Sequence, residues 1–485
     1  MKLLGVVVKP TTAAFKKNKS RKEKPNDRLS VLAGLARQLL SFNGKYHLLF
    51  KRHTSNLADR AFHYLKGLFQ ADKKNMERME EKIPDAKYDL LQYFISDSDW
   101  AYRPVNNQIA LDADKLLGGH YDSALYIDET GFPKKGKMSV GVARQWCGQL
   151  GKIDNCQVGV FATLGHDRFS TPIDFRLYLP KEWTQDKKRC KKAKVPKKQM
   201  EFRSKAELAL DMVFDAREKG IRFNWLGCDG FYGSQPEFLR KLADKGEVFM
   251  ADVHKDQRIY LEDPQPVVPN KDFGKGRKPE KLKAQADSIR VDKYAEKQPD
   301  DSWVRIKVRK STKGFLSVDI FHKHVWLWDG HEERARRWHL VVRREGHSQE
   351  KMKYSLSNAP DVTSIDKLAY MQAQRYWVER PFQDAKNQCG MGEYQARGWL
   401  AWHHHMTMVM LAMLFMLEQR YVHKKEIPLL SCCDIATVLK STLPRKDIGE
   451  EEILRQLEVR HKKRQASTDS AYQKQRYFEG LSKNT

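Results

Sequence analysis

From about residue 29 to 115, apolar residues recur every three or four positions: Leu32, Leu35, Leu39 and Leu40, then Leu57, Phe62, Leu65, Leu68 and Phe69. That period predicts amphipathic helices, continued by a charged stretch at 76–83 and an amphipathic one at 88–100. The pattern then changes. Residues 124–127 are an unbroken apolar run that ends at Asp128 and Glu129 and breaks at Gly131 and Pro133, the mark of a buried strand carrying a carboxylate to its C-terminal edge. Two further strands are predicted over 158–164 and 172–179, joined by a hairpin-like GHDRFST. A helix follows, opened by a capping box of Ser204 and Glu207, with Leu208, Val213 and Phe214 on its apolar face and Gly220 as its stop. The run 223–228 then repeats the first strand's ending, at Asp229 before Gly230 and Gly233. A second capping pattern, Ser234 to Glu237 with Pro236, predicts another helix, and 247–251 a fifth strand.

Three consecutive strands, then helix, strand, helix, strand, is the order of a ribonuclease H-like α/β core: a mixed five-stranded sheet flanked by helices. Residues 255–300 are polar and rich in Pro, Gly and Lys, and from 302 to 357 the period turns to two, which predicts an antiparallel β insertion. It is rich in Trp (Trp303, Trp326, Trp328 and Trp338) and Arg, a composition that suits stacking on exposed bases and equally an ordinary sheet core with a charged outer face. A helix resumes near Ser364, and the apolar run 406–417 falls short of the roughly 20 residues of a membrane span, so it is expected to be a core helix. The segment 450–464 fits a helix with acids first and bases last, and the final 20 residues are expected to be disordered.

Charge narrows the function. Lys and Arg number 89 against 62 Asp and Glu, a formal net charge of +27. Such a field attracts polyanions, nucleic acid first, and no basic helix with a large apolar face points to a membrane surface. Seven cysteines without CxxC pairs or zinc spacing read as the reduced thiols of a cytoplasmic protein, and the first ten residues are too weakly apolar for a secretion signal. The segments then divide as a basic disordered arm (1–28), a helical N-terminal DNA-binding domain (29–118), the first part of the catalytic core (119–254), the β insertion (255–360), the completion of the core (361–420), and a helical C-terminal region and tail (421–485).

Two strands that each end in an aspartate before a glycine turn can set two hard oxygen ligands side by side, and in a basic chain that suggests Mg²⁺ and phosphates. The turn after Asp128 adds Lys134, Lys135 and Lys137 as candidate DNA contacts. The cluster 187–198 carries eight Lys or Arg in twelve residues, either a solvated loop or a phosphate contact. Further on, Arg375, Glu379, Phe382 and Lys386 are spaced 4, 3 and 4 and fall within an arc of roughly 60° on one helix face. That is either a surface ladder of ion pairs or a third acid between two cations, and Pro381 is expected to kink the helix.

Asp128 within IDETGFPKKGK and the following VGVARQWCGQLGKIDNCQVGVFA, Asp229 within CDGFYG, and Glu379 within RYWVERPFQDAK together resemble the DDE transposases of bacterial insertion sequences, of the kind with a Tyr-Arg-Glu-Lys signature and a β insertion. The resemblance covers about 120–420, with 101 residues from Asp128 to Asp229 and 150 from Asp229 to Glu379. The signature falls on Arg375, Glu379 and Lys386; its tyrosine position falls on Gln372, with Tyr370 nearby. The resemblance implies that Asp128, Asp229 and Glu379 are catalytic and hold two Mg²⁺ ions, with Mn²⁺ as a substitute, for strand cleavage and transfer at transposon ends. It implies double-stranded DNA as partner, both terminal inverted repeats and target, and a homodimer that bridges two ends beside the bacterial nucleoid. Arg375 and Lys386 would hold phosphates, and Trp326 or Trp328 would stack on a flipped base if the cut end closes into a hairpin.

Other residues read as structural. Glu129 should point away from Asp128 along the strand, and three consecutive histidines, His403–His405 by number, diverge by about 100° each on a helix and cannot converge on one ion. Cys228 beside Asp229 has no histidine partner and reads as packing. Two other functions stay open at this level: a catalytically inactive, sequence-specific DNA-binding protein, and a non-enzymatic basic RNA-binding or assembly protein.

Overall fold

A computed structural model describes residues 25–51, 56–269, 280–311, 314–344 and 352–482. The expected basic arm lies outside them up to residue 24. Five helices precede the first strand, from Pro25–Tyr46 to Tyr102–Leu117, and their apolar faces bury Leu35, Leu39, Leu65, Leu68 and Ile109. These faces do not close on each other alone. They wrap the helix Trp399–Val422, whose side chains from Met406 to Leu417 are all buried. That helix is long and apolar enough to cross a membrane by length and composition, yet 94% of its apolar window is buried inside the protein. An all-round apolar helix needs such a sleeve.

The strands are β1 Ala124–Pro133, β2 Ala143–Cys147, β3 Lys152–His166, β4 Phe169–Leu177, β5 Trp225–Cys228 and β6 Phe249–Val253, followed by β7 Arg258–Tyr260, β8 Ser288–Arg290, β9 Val304–Ser311, β10 Gly314–Leu327, β11 Arg336–Arg344 and β12 Met352–Ser357. β4, β3 and β1 are antiparallel neighbours, and β5 and β6 follow β1 in parallel, so the order β4-β3-β1-β5-β6 fits a ribonuclease H-like fold. The hairpin between β3 and β4 turns at Asp167, which holds a left-handed φ of 52°.

The expected five-stranded sheet with a β insertion becomes one twelve-stranded sheet among the described residues. β12 pairs antiparallel with β6, placing Ser355 opposite Asp252, and β11 and β10 continue outward. Alternation in sequence shows that a segment is a strand but not what it pairs with, and pairing here covers the β6 edge that would otherwise offer unpaired N–H and C=O groups. Two smaller expectations also change. The second capping pattern is not formed: Gln235, not Ser234, precedes the helix Pro236–Asp244, and its side chain makes no cap bond. The C-terminal helix runs over Glu450–Ser482, through most of the stretch expected to be disordered, as an exposed helix of mixed charge whose first turn is acidic.

The core should answer to its largest buried ring. Trp402 is fully buried and meets Phe175 edge-on at 5.3 Å. Trp402→Ala is expected to lower unfolding free energy in urea by about 3–5 kcal/mol; a loss under 1 kcal/mol would show that the sleeve around this helix collapses freely.

Candidate active site

The site starts from strand register. Ile127 of β1 pairs with Cys228 of β5, and Cys228 pairs with Ala251 of β6. The next residue on each of these three parallel strands is an aspartate: Asp128, Asp229 and Asp252. Asp252 was not among the residues expected from sequence, although the strand around 250 ends with the same apolar-run-then-Asp signal as the other two.

Each carboxylate is fixed by its own backbone or its neighbours. Asp128 Oδ1 accepts the Glu129 N–H at 2.7 Å, and Asp229 Oδ1 accepts the Phe231 and Tyr232 N–H groups at 3.1 and 3.3 Å, capping the turn Gly230–Gly233. Gly233 must be a glycine, since a Cβ there would stand 1.9 Å from the Asp252 carbonyl oxygen. Asp252 accepts the Ser355 hydroxyl at 2.7 Å and pairs with Arg375 Nε at 2.7 Å.

Arg375 stands at the junction of the helices Ile365–Gln374 and Tyr376–Cys389. Burial works against its charge, but Asp252, Asp128, Asp229 and Glu379 together outweigh that and raise its pKa. Burial, and then the charge of Asp229, pushes Asp128 up to about 7, with Arg375 pulling the other way. One turn beyond Arg375, Glu379 is exposed in the first turn of its helix. Phe382 packs on Phe161 at 5.3 Å, and Lys386, lowered by burial, is attracted by Cys147 and Asp128. Of the face predicted from 4-3-4 spacing, Phe382 and Lys386 therefore turn toward β3 and β1, while Glu379 between the two cations stays exposed. Asp128, Asp229 and Glu379 do not, however, form a cluster with one oxygen each within 4.8 Å of the others. The Arg375 guanidinium is the cation these acids share.

Pro381 lies inside the Glu379 helix. It cannot donate to the Trp377 carbonyl, and the Ser170 hydroxyl takes that acceptor at 2.6 Å. The backbone break falls at Arg375, six residues earlier. Gln372, at the signature's tyrosine position, is buried and donates to Ser355 Oγ at 2.9 Å, so it reaches Asp252 through that hydroxyl. Tyr370 instead donates to Asp122 at 2.5 Å.

The other expected residues are dispersed. Lys134 lies 3.5 Å over the Tyr394 ring and burial brings it down to about 8, whereas Lys135 and Lys137 are exposed. Trp326 is half-buried on β10 opposite Arg337, and half-buried Trp328 donates Nε1 to Glu332 O at 2.7 Å. The basic cluster forms the helix Lys187–Lys192, with Arg189 3.8 Å over Trp183. The three consecutive histidines are buried: His404 bonds Ile95 and Trp100 carbonyls, and His405 bonds Tyr64. Glu129 turns away from Asp128 to Lys205, 2.6 Å distant.

Asp128, Asp229 and Asp252 thus stand level on three neighbouring parallel strands of a strongly basic chain, an arrangement suited to phosphoryl transfer with divalent cations. Residues 50–314, more than half of the chain, match the DDE superfamily endonuclease family, and the chain belongs to that family. The match includes Asp128 and Asp229 and stops before Glu379. The chain is 23% identical over 309 residues to a probable transposase for insertion sequence element IS701 from Microchaete diplosiphon, covering 63% of this chain and 68% of that one. It also aligns, at a TM-score of 0.37 and 12% identity, with a cryo-EM structure of piggyBac transposase synaptic complex with hairpin DNA, over 85% of this chain and 79% of that one. This protein is a DDE DNA transposase of the insertion-sequence type.

The half-buried pair separates structural from reactive acids. Lys205→Met leaves the Glu129 carboxylate without its cation and is expected to lower unfolding free energy by about 3 kcal/mol. Adding Glu129→Gln should restore more than half of that; no recovery in the double variant would mean that Lys205 acts through something other than this charge.

Proposed function

We propose that Asp128, Asp229 and Glu379 hold the divalent cations of this transposase, Mg²⁺ with Mn²⁺ as a substitute, two per active site. The reading is carried by the register that sets Asp128 and Asp229 side by side on neighbouring parallel strands. The donor set fits the ion: hard oxygens, crowded enough that burial and Asp229 hold Asp128 near 7, a repulsion that a divalent cation relieves. When bound, the ions lower the pKa of an attacking water or DNA 3′-hydroxyl and stabilise the leaving 3′-oxygen. Glu379 completes the set by swinging in from its exposed position on the helix. Asp252 keeps Arg375 beside the acids, where its guanidinium can transfer from carboxylate to the phosphate of a bound strand. Lys386 supplies a point charge from the same helix face.

The partners that fit this site are double-stranded DNA at the element's terminal inverted repeats and at the target, engaged by a homodimer that bridges two ends. The helical region 29–118 is assigned to recognition of the end, and the half-buried Trp326 and Trp328 to stacking on a flipped base should the cut end close into a hairpin.

Cleavage of a plasmid bearing the element's own ends tests the assignment. Asp128→Ala, Asp229→Ala and Glu379→Gln are each expected to reduce Mg²⁺-dependent cleavage at least about 100-fold while the far-UV circular dichroism is unchanged. Full cleavage by Glu379→Gln would remove it as third ligand, and cleavage absent in the parent chain would favour an inactive DNA binder.

A pH dependence follows from Asp128. Its folded pKa is raised, so below about 7 it carries a proton that a cation must displace. Apparent Mg²⁺ affinity, read as the thermal shift at graded Mg²⁺, should fall by up to about tenfold per pH unit below 7 and level off above it. A flat profile from pH 6 to 8 would exclude Asp128 as a ligand.

A further inference from the structure

Away from the carboxylates, three imidazoles gather on one face of the sheet extension. His322 and His324 are two apart on β10, so they share a face, and His339 of β11 lies directly opposite His324 in the register. One ring nitrogen from each lies within 4.8 Å of the other two, the only such three-ligand set among the described residues. His322 Nε2 and His339 Nδ1 are 2.8 Å apart, and the ring centroids of His324 and His339 4.3 Å.

The surroundings are those of ligands. His339 is fully buried, and its Nε2 lies 3.0 Å from the Ala359 carbonyl, so with the proton there Nδ1 turns its lone pair to His322. A backbone carbonyl that fixes the distal N–H is the usual support of a metal-bound imidazole. His324 Nε2 is buried 3.3 Å from Asp361 Oδ1, and Asp361 pairs through its other oxygen with Arg337 at 2.5 Å. Three histidines from two adjacent strands with a carboxylate at the rim match a borderline-soft ion in tetrahedral geometry. Zn–N bonds of about 2.0–2.1 Å put tetrahedral nitrogens roughly 3.3 Å apart, between the spacing of the His322–His339 pair and the 4.8 Å limit.

We propose that His322, His324 and His339 form a Zn²⁺ site, separate from the catalytic carboxylates, with Asp361 at its open position. The ion would replace the hydrogen bond between His322 Nε2 and His339 Nδ1, whose proton passes to solvent. It would also tie β10 and β11 to the segment around Ala359–Asp361 by number 359–361, which leads into the helix Ile365–Gln374 and so to Arg375. The site's role is structural: it fixes the approach of the catalytic helix to the sheet.

The test uses the full chain without a histidine tag, stripped with chelator and held in excess Mg²⁺ so that carboxylate sites are filled. Co²⁺ serves as the probe. One Co²⁺ per chain is expected, with the strong visible absorption of four-coordinate nitrogen ligation, displaced by an equivalent of Zn²⁺, and Zn²⁺ should raise the thermal midpoint. His324→Ala and His322→Gln should each weaken Co²⁺ binding by more than about 100-fold, beyond the 10–100-fold of outer partners, and abolish the Zn²⁺ shift. His339 is left intact because its ring is packed in the core. The proposal is overturned if the parent chain shows no such absorption, or if both variants, with the metal-free thermal midpoint of the parent, bind as it does.

Discussion

The register of three parallel strands is the constraint on which the candidate active site rests. Because Ile127, Cys228 and Ala251 are neighbours in register, the aspartates that follow them come level across the sheet, Asp128 and Asp252 still within their strands and Asp229 just past the end of β5. Strands in a sheet lie about 4.8 Å apart, so aspartates at these positions are held closer than free carboxylates would choose. The protein balances that repulsion with Arg375, which is itself fixed by Asp252 through a 2.7 Å ion pair. Slipping β5 by one residue would turn Asp229 to the other face and leave Arg375 with an incomplete set of partners.

Much of this was legible in the sequence, for reasons that differ by element. The Asp229 strand ends where its short apolar run meets an acid before a glycine, whereas the Asp128 strand, expected to break there, runs on to Pro133 because β3 pairs with it throughout; the capping box at Ser204 and Glu207 forms as its spacing predicts. The 4-3-4 spacing of Arg375, Glu379, Phe382 and Lys386 identifies the helix face, because periodicity is a local property. What could not be read is non-local. Nothing in residues 302–357 says that β12 hydrogen-bonds to β6, and Asp252 gains its role only from that pairing, through Ser355. The position of the backbone break was also hidden: Pro381 is the visible irregularity, yet Ser170, more than 200 residues earlier in the chain, absorbs its missing donor.

The same non-local logic explains Gln372. A residue at the signature's tyrosine position would be judged a defect from sequence alone. Its amide instead bonds Ser355 Oγ and the Val341 carbonyl, which ties the helix before Arg375 to two strands of the sheet extension. The extension thus does more than cover an edge. It supplies Ser355, and with it the support that keeps the Asp252 carboxylate aimed at the guanidinium.

Seen this way, the two donor sets on the sheet divide the work by ligand chemistry. As proposed, oxygen donors at the level of Asp128 and Asp229 would select hard ions that exchange readily and stabilise phosphate charge, while imidazoles on β10 and β11 would select a borderline ion that binds tightly and holds its geometry. They are joined through β12: Ser357 pairs in register with His339, and Ser355, two residues away on the same face, with Asp252 and Gln372. Through such a link the proposed ion would set where Arg375 and Glu379 begin their helix without entering the reaction. It also explains why the helix can break at Arg375 and stay positioned, since both sides of the break are anchored, Gln372 to the sheet before it and Trp377 to Ser170 after it.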